Sequence, residues 1–397
     1  MKIKVFVFAL SLVASACAPS PAAIPTTSVT PNATSASSSA ATGSPVVSAA
    51  PLAYRVVPGV GRANVSPDGR WLVTANQQSG ASATQAVRMF TNDGEPVREV
   101  RDAGSFWGWL SDSSGVLIAT SLPQKAPPLG IIELDGRVVT TELQLSSQML
   151  SRDGKLLVTN QQEGCCVSIT QREIRVAGRD GTGTRTLVVS DGPLGTESVT
   201  LLGIDASDRA VYRDGTKIKR IPLLGGAATT LATSSEYARV VQGSASPDGA
   251  AILARGYEPA QWYVIANDRV VAWDNGPGSI VEDGSPGFTK SGATALWIGP
   301  HTFLARDPAG SLVAVDAVTN IRASLTGKLV SSDVVLAHES GRLLIVRGGV
   351  VVLLNTTTGD ARDIGLDLRP NNEGAQAVGL RSGGFLLSNS KETYRID

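Results

Sequence analysis

Apolar residues along this chain come in short runs of four to six, and each run is broken by a tight polar turn. The clearest copies are ANVSPDGRWLVTA from Ala63 and SASPDGAAILA from Ser244. Weaker ones are MLSRDGKLLVT from Met149, AHESGRLLIV from Ala337, WLSDSSGVLIATS from Trp109 and GLRSGGFLLSNS from Gly379. Two degenerate copies lie at GIDASDRAVY from Gly203 and IGPHTFLA from Ile298. Apolar runs bounded by Ser, Pro, Asp and Gly predict strands joined by turns. Ser opens a type I turn, Pro presets φ at the second position, Asp bonds its own backbone and Gly closes the turn. Asp68, Asp153 and Asp248 are therefore read as turn residues rather than ligands or catalysts.

Taking Gly69, Gly115, Gly154, Asp208, Gly249, His301, Gly341 and Gly383 as markers, the turns recur every roughly 40 to 50 residues, with room for about four short strands each. This is the period of a β-propeller blade. One such sheet cannot bury both its faces, but a closed ring lets each sheet cover the next. The fold expected is all-β: a single propeller over residues 53–397 of four-stranded antiparallel blades. Eight blades follow from the eight markers, with seven as the alternative because the fourth and sixth are degenerate. Only two strands follow the last marker, so Tyr54 to Val57 is expected to supply an outer strand and pair the two ends of the domain.

The first 52 residues are different. Lys2 and Lys4 precede the apolar run Val5 to Val13, then Ala14-Ser15-Ala16 and Cys17. Charge, short apolar core and small residues make a secretory signal, and nine apolar residues are too few to span a bilayer. The stretch Val13-Ala14-Ser15-Ala16-Cys17 resembles the lipobox of bacterial lipoproteins, which implies a diacylated Cys17 at the end of a signal over residues 1–17. Ala14 stands where that family carries leucine, and the same small residues suit ordinary signal peptidase. Residues 18–52 are almost wholly Ala, Pro, Ser and Thr, a composition that buries little and reads as a disordered linker. The expected location is therefore outside the cytoplasm, in the periplasm or on the cell surface. The lipid is the expected membrane contact.

The SPDG turns resemble those of TolB-type and prolyl-oligopeptidase-type propellers, and more loosely of tryptophan-aspartate repeat proteins. The resemblance covers the repeat region through turn motif and period alone. It implies a fold and leaves function open.

Composition narrows the chemistry. Of 397 residues, 35 are Lys or Arg and 35 Asp or Glu, a balance that argues against nucleic acid as a partner. There is no nucleophile elbow, no phosphate loop, no dinucleotide fingerprint and no zinc-ligand spacing. No catalytic residue, metal site or cofactor is therefore assigned. The two histidines, His301 and His338, are expected at surface turns. Trp107 and Trp109 alternate and are expected on one strand face as inter-blade packing.

Two features point to binding. LVTANQQSG from Leu72 and LVTNQQEG from Leu157 are near copies two blades apart. Each sends an amide cluster out of its second strand: Asn76, Gln77 and Gln78 in one, Asn160, Gln161 and Gln162 in the other. The equivalent loop after Leu253 carries Arg255, Tyr257 and Glu258. Loops on one rim of a rigid ring are where ligands are held, and amides both donate and accept. A protein surface, a saccharide or a peptide is the ligand class expected there. The second feature is the adjacent pair Cys165 and Cys166. Neighbouring α-carbons lie about 3.8 Å apart, closer than an ordinary disulfide favours, so a vicinal bridge is strained; two unpaired thiols are the other state.

The leading expectation is a membrane-anchored extracytoplasmic binding or scaffolding protein. The alternative is a propeller enzyme of lactonase, lyase or glycosidase type, with a diffuse site in the central channel. A quinoprotein-like cofactor propeller is a third and weaker fit, because its tryptophan-docking repeats are not evident.

Overall fold

The computed structural model describes residues 54–75, 86–120, 128–144, 147–163, 171–190, 199–257, 261–273, 279–283, 294–368 and 375–397. These form eight four-stranded antiparallel sheets arranged as a ring, with one additional two-stranded ribbon. Eight blades, rather than seven, are thus present, and both degenerate markers head real blades.

Blade 1 comprises Asn64–Val65, Trp71–Ala75, Val87–Thr91 and Pro96–Val100; blade 2 comprises Ser105–Trp109, Gly115–Ala119, Pro128–Glu133 and Val138–Gln144. Blade 3 runs through Ser147–Leu150, Leu156–Glu163, Gln171–Gly178 and Arg185–Ser190, and blade 4 through Val199–Ile204, Arg209–Asp214, Lys217–Pro222 and Thr229–Thr233. Blade 5 holds Val240–Ala245, Ala251–Gly256, Trp262–Ala266 and Arg269–Ala272; blade 6 holds Ser279–Ile280, Thr302–Arg306, Ser311–Asp316 and Arg322–Lys328. Blade 7 is Val334–Glu339, Arg342–Arg347, Val350–Asn355 and Ala361–Asp367. Blade 8 is made from both ends of the domain: Gln376–Gly379, Phe385–Ser388 and Thr393–Ile396, with Tyr54–Val56 outermost. Tyr54, Arg55 and Val56 pair antiparallel with Ile396, Arg395 and Tyr394, which is the expected closure.

The turn chemistry explains the regularity. Ser66 Oγ donates to Asp68 Oδ1 at 2.7 Å and accepts from the Trp71 amide at 3.0 Å, while Asp68 Oδ1 accepts from the Arg70 amide at 3.0 Å. Ser151–Asp153 and Ser246–Asp248 repeat the arrangement at 2.7 and 2.8 Å. These first turns sit on one face of the ring, here the turn face, and they bond to one another. The Asp68 amide donates to Ser113 Oγ at 2.9 Å, and the Arg152 amide to Asp208 Oδ1 at 2.7 Å. The Ala206 amide donates to Gly249 O at 3.0 Å. In an antiparallel meander the ends of every second strand leave on the opposite, loop face.

The core is divided by seam. Among the described residues, eight apolar clusters each join two adjacent blades, so every interface round the ring has its own. Between blades 5 and 6, for example, Ala251, Leu253 and Trp262 meet Phe303, Ala305 and Val315.

Two local expectations change. The pairing of Ser105–Trp109 with its neighbour shifts between Phe106 and Gly108, a bulge that turns Trp107 outward while Trp109 stays buried. Trp107 and Trp109 therefore do not share a face. His338 lies within strand Val334–Glu339, half-buried, rather than in a turn. Burial pushes its pKa down.

The inner strand of blade 6 is interrupted. Ser279–Ile280 pairs with Thr302–Arg306, then the chain leaves as Glu282–Asp283, which pairs with Thr294–Ala295. The strand position is then resumed: the Leu304 amide donates to Leu296 O at 3.0 Å and the Ile298 amide to Thr302 O at 2.8 Å. The ribbon rests against the innermost strands of blades 5 and 7.

Candidate functional site

Of the residues singled out from sequence, Cys17, Asn76, Gln77, Gln78, Cys165, Cys166 and Glu258 lie outside the described residues. The second amide cluster is placed, and not as a loop. Asn160, Gln161 and Gln162 belong to strand Leu156–Glu163, whose eight residues all pair with Gln171–Gly178. The long third strand keeps the second one straight past the point where the sequence suggested an exit. Gln161 is 4% exposed, and Thr159 Oγ1, Asn160 Oδ1 and Gln161 Nε2 are buried without a hydrogen-bond partner among the described residues. Leu157 belongs to the seam with blade 2 and Val158 to the seam with blade 4. Alternation therefore turns Gln161 toward blade 2 and away from the rim.

Arg255 and Tyr257 do reach the loop face. Ala251 and Leu253 fill the seam with blade 6, so Arg255, in step with them, points into the same seam where it opens. There it lines a cleft of about 860 Å³ with Trp262, Ser279, Glu282 and Arg306, walled by the 307–310 turn and residues 329–331. Arg255 Nη1 is 3.1 Å from Glu282 Oε1, and its guanidinium lies 5.7 Å from the Trp262 ring centre. Arg306 closes the second strand of blade 6, and its Nε donates to Ser279 Oγ at 3.0 Å. Among the described residues Arg306 has no carboxylate partner. Asp307 is engaged at home, its Oδ1 accepting from the Ser311 amide at 2.7 Å.

A smaller recess of about 370 Å³ continues past Glu282 and Arg306 toward Asp333 and Val334 on blade 7. Asp333 contributes no free charge to it. Arg347 donates to both its oxygens, at 2.9 and 2.7 Å, and Oδ2 also accepts from the Val330 amide at 3.0 Å. The cleft itself thus holds two guanidiniums and two carboxylates, balanced in charge. Its hydrogen-bonding groups come from three separate chain segments, and Tyr257, 66% exposed, follows Arg255 by two residues. Such a surface suits a polar, uncharged or zwitterionic ligand better than a strong anion.

Sequence inspection found Arg255 and missed Glu282 and Arg306. Neither sits in a motif. The signal that existed was the long interval between the fifth and sixth markers, which holds the blade 6 ribbon and with it Glu282.

The turn face has a different cluster. His301 Nδ1 lies 2.7 Å from Asp248 Oδ2, in the neighbouring blade's turn, and Nε2 lies 3.2 Å from Asp316 Oδ2. The hydrogen bond to Asp248, and then the charge of Asp316, raise the His301 pKa. His301 is a turn residue as expected, but its ring ties two blades together. Among the described residues no group of three or more His, Cys, Asp or Glu is placed to hold a metal ion.

No protein-family model matches the chain, and no curated protein does. Solved structures match it in fold. A computationally designed protein, Ika8, has a TM-score of 0.52 at 13% identity, over 86% of this chain and 98% of that one. A streptogramin B lyase has a TM-score of 0.44 at 9% identity, over 84% and 99%. The dihydro-heme d1 dehydrogenase NirN, in complex with DHE, has 0.48 at 16% identity, over 84% and 69%. At these identities the likeness is one of fold alone.

Proposed function

We propose that this propeller is an extracytoplasmic binding protein, anchored by lipid on Cys17, that takes a saccharide or peptide in the loop-face cleft of blades 5 to 7. The observation that carries the binding site is the meeting of Arg255, Glu282 and Arg306 from separate segments around one open cleft. A concave site with a few convergent polar groups is the usual form of a ligand pocket. A site with both donors and acceptors reads hydroxyls and amides rather than charge alone. The anchor rests on the lysines, apolar run and lipobox cysteine at the start of the chain, and the 18–52 linker gives it reach. The SPDG turns support a TolB-type relationship within this reading.

The test is crosslinking of the full-length protein in cells, followed by mass spectrometry, with an Arg255→Ala/Arg306→Ala double variant as the comparison. A saccharide or peptide captured by the wild type and lost from the variant supports the proposal. Capture that is equal in both removes the cleft from it. Chemical turnover of the captured ligand would replace binding with the lyase, lactonase or glycosidase alternative. The anchor is tested separately by metabolic labelling with an alkyne fatty acid, where a label that survives Cys17→Ser rules it out.

A further inference from the structure

The seam between blades 5 and 6 opens a second time, along its outer edge, and this groove has a different chemistry. Its volume is about 650 Å³, within the range of small-molecule pockets. The register explains why it exists. Trp273 follows the short outer strand Arg269–Ala272 of blade 5, and its amide donates to Trp262 O at 2.7 Å, which turns it into the seam. Val264 pairs with Val271 and Ala266 with Arg269, so Arg269 and Val271 share that seam-facing side. On blade 6, Val315 pairs with Arg322, which faces back across the gap. Small side chains, Ala266 and Ala317, stand where the two blades splay, and the gap between them is left open.

The floor is aromatic and closed. Trp273 is 4% exposed and meets Phe303 edge-on, ring centres 5.2 Å apart. At the turn-face end, Asn267 Nδ2 donates to Val318 O at 3.2 Å, bridging the two blades. Arg322 stacks its guanidinium 4.6 Å from the Trp273 ring centre. Stacking fixes the plane of a guanidinium and leaves its N–H edge free to fork onto two oxygens.

The charges do not balance here. Asp316 is the acid of the lining, and it is fully engaged. Its Oδ1 accepts from the amides of Val318 and Thr319 at 2.9 and 2.8 Å, and its Oδ2 pairs with His301 at 3.2 Å. Asp268, just outside, is held by Arg220. Arg269 and Arg322 have no carboxylate partner among the described residues. The groove is therefore a cationic mouth over an apolar, aromatic floor.

We infer that this seam groove is a binding site for a small organic carboxylate carried on a flat apolar body. Arg322 forks onto the carboxylate, Arg269 adds charge at the mouth, and the body lies along Val264 and Val271. The loop-face cleft is charge-balanced, and the seam groove is not, so the two sites select different ligands and stand or fall separately.

The test uses 1-naphthoate and its neutral counterpart 1-naphthamide, titrated by calorimetry and by tryptophan fluorescence. Expected is saturable binding of 1-naphthoate below about 1 mM, with 1-naphthamide weaker by roughly tenfold or more, the value of a charge-assisted hydrogen bond. Arg322→Ala is expected to weaken 1-naphthoate by roughly tenfold to a hundredfold. Arg322→Lys keeps the charge without the fork and is expected to fall between. Arg255→Ala, in the separate loop-face cleft, is expected to leave the affinity for 1-naphthoate as in wild type. Near-ultraviolet circular dichroism matched to wild type shows that each variant is folded. Absence of saturation, equal binding of acid and amide, or full affinity in a folded Arg322→Ala would each overturn the inference. Loss with Arg255→Ala alone would move the anion to the loop face and overturn it as well.

Discussion

The ring is closed by three residues, and their removal has a calculable effect. A chain beginning at Pro58 lacks the outermost strand of blade 8, whereas one beginning at Ala53 keeps it. The shorter chain loses three registered pairs and the bond from the Val57 amide to Thr393 O at 2.8 Å. It also loses Val57, 3% exposed, and the edge-on contact of Tyr54 with Tyr394 at 5.6 Å. Burying a valine contributes about 1.5–3 kcal/mol, an aromatic pair about 0.5–1.5, and a backbone hydrogen bond about 0.5–1.5. Together the closure stabilises the fold by about 3–6 kcal/mol, a large part of a typical stability of about 5–15 kcal/mol. With a urea slope of about 3 kcal/mol/M for a domain of this size, the midpoint falls by about 1–2 M. The bared edge of Thr393–Ile396 is also a template for pairing with another chain. Urea titration followed by circular dichroism, with light scattering on the native protein, measures both effects. If the two chains share one midpoint and both remain monomeric, the closure strand is not what holds the ring, and the reasoning fails.

Other consequences are more local. The charged form of His301 is favoured by Asp248 and Asp316, so its folded pKa stands above its unfolded value. The stability it adds is present in full below the unfolded pKa and is lost as pH rises through the folded one. Urea midpoints of wild type are therefore expected to fall between pH 6 and pH 9 more than those of His301→Asn, and parallel curves would refute the link. A Cβ on Gly243 would overlap Leu202 O in the neighbouring blade's inner strand, so Gly243→Ala is expected to destabilise by at least about 2–3 kcal/mol, read as a lower thermal midpoint. Phe303→Ala empties the centre of the blade 5–6 seam, where the ring is fully buried against Trp273 and Trp297. A loss of about 3–5 kcal/mol is expected, and an unchanged denaturation curve would mean the seam collapses to fill the gap.

Much of the architecture was legible because one turn repeats. Ser66, Ser151 and Ser246 each bond their own aspartate and the amide five residues on, so the chemistry that makes the turn also writes the motif. Blade number and closure followed from counting those turns. Departures from regular pairing were not legible. A bulge inserts one residue without changing the apolar pattern, so nothing in SFWGW marks Trp107 as outward. Gln161 read as a loop because glutamine is polar, while its backbone pairing is fixed by a partner strand outside the local pattern. The site was legible only at Arg255, which a repeat comparison exposed. Glu282 and Arg306 meet it through the packing of blade 6 on blade 5, and contact between sheets leaves no spacing rule in sequence.

The closure has a further consequence in time. Thr393 Oγ1 bonds Gly61 O across 332 residues of chain, and contacts so distant in sequence form late. At a synthesis rate of roughly 5–20 residues per second, the first strand waits roughly 20–70 s for its partner to be made. Throughout that interval the ring has no last seam, and the nascent polypeptide stays open-ended and threadable.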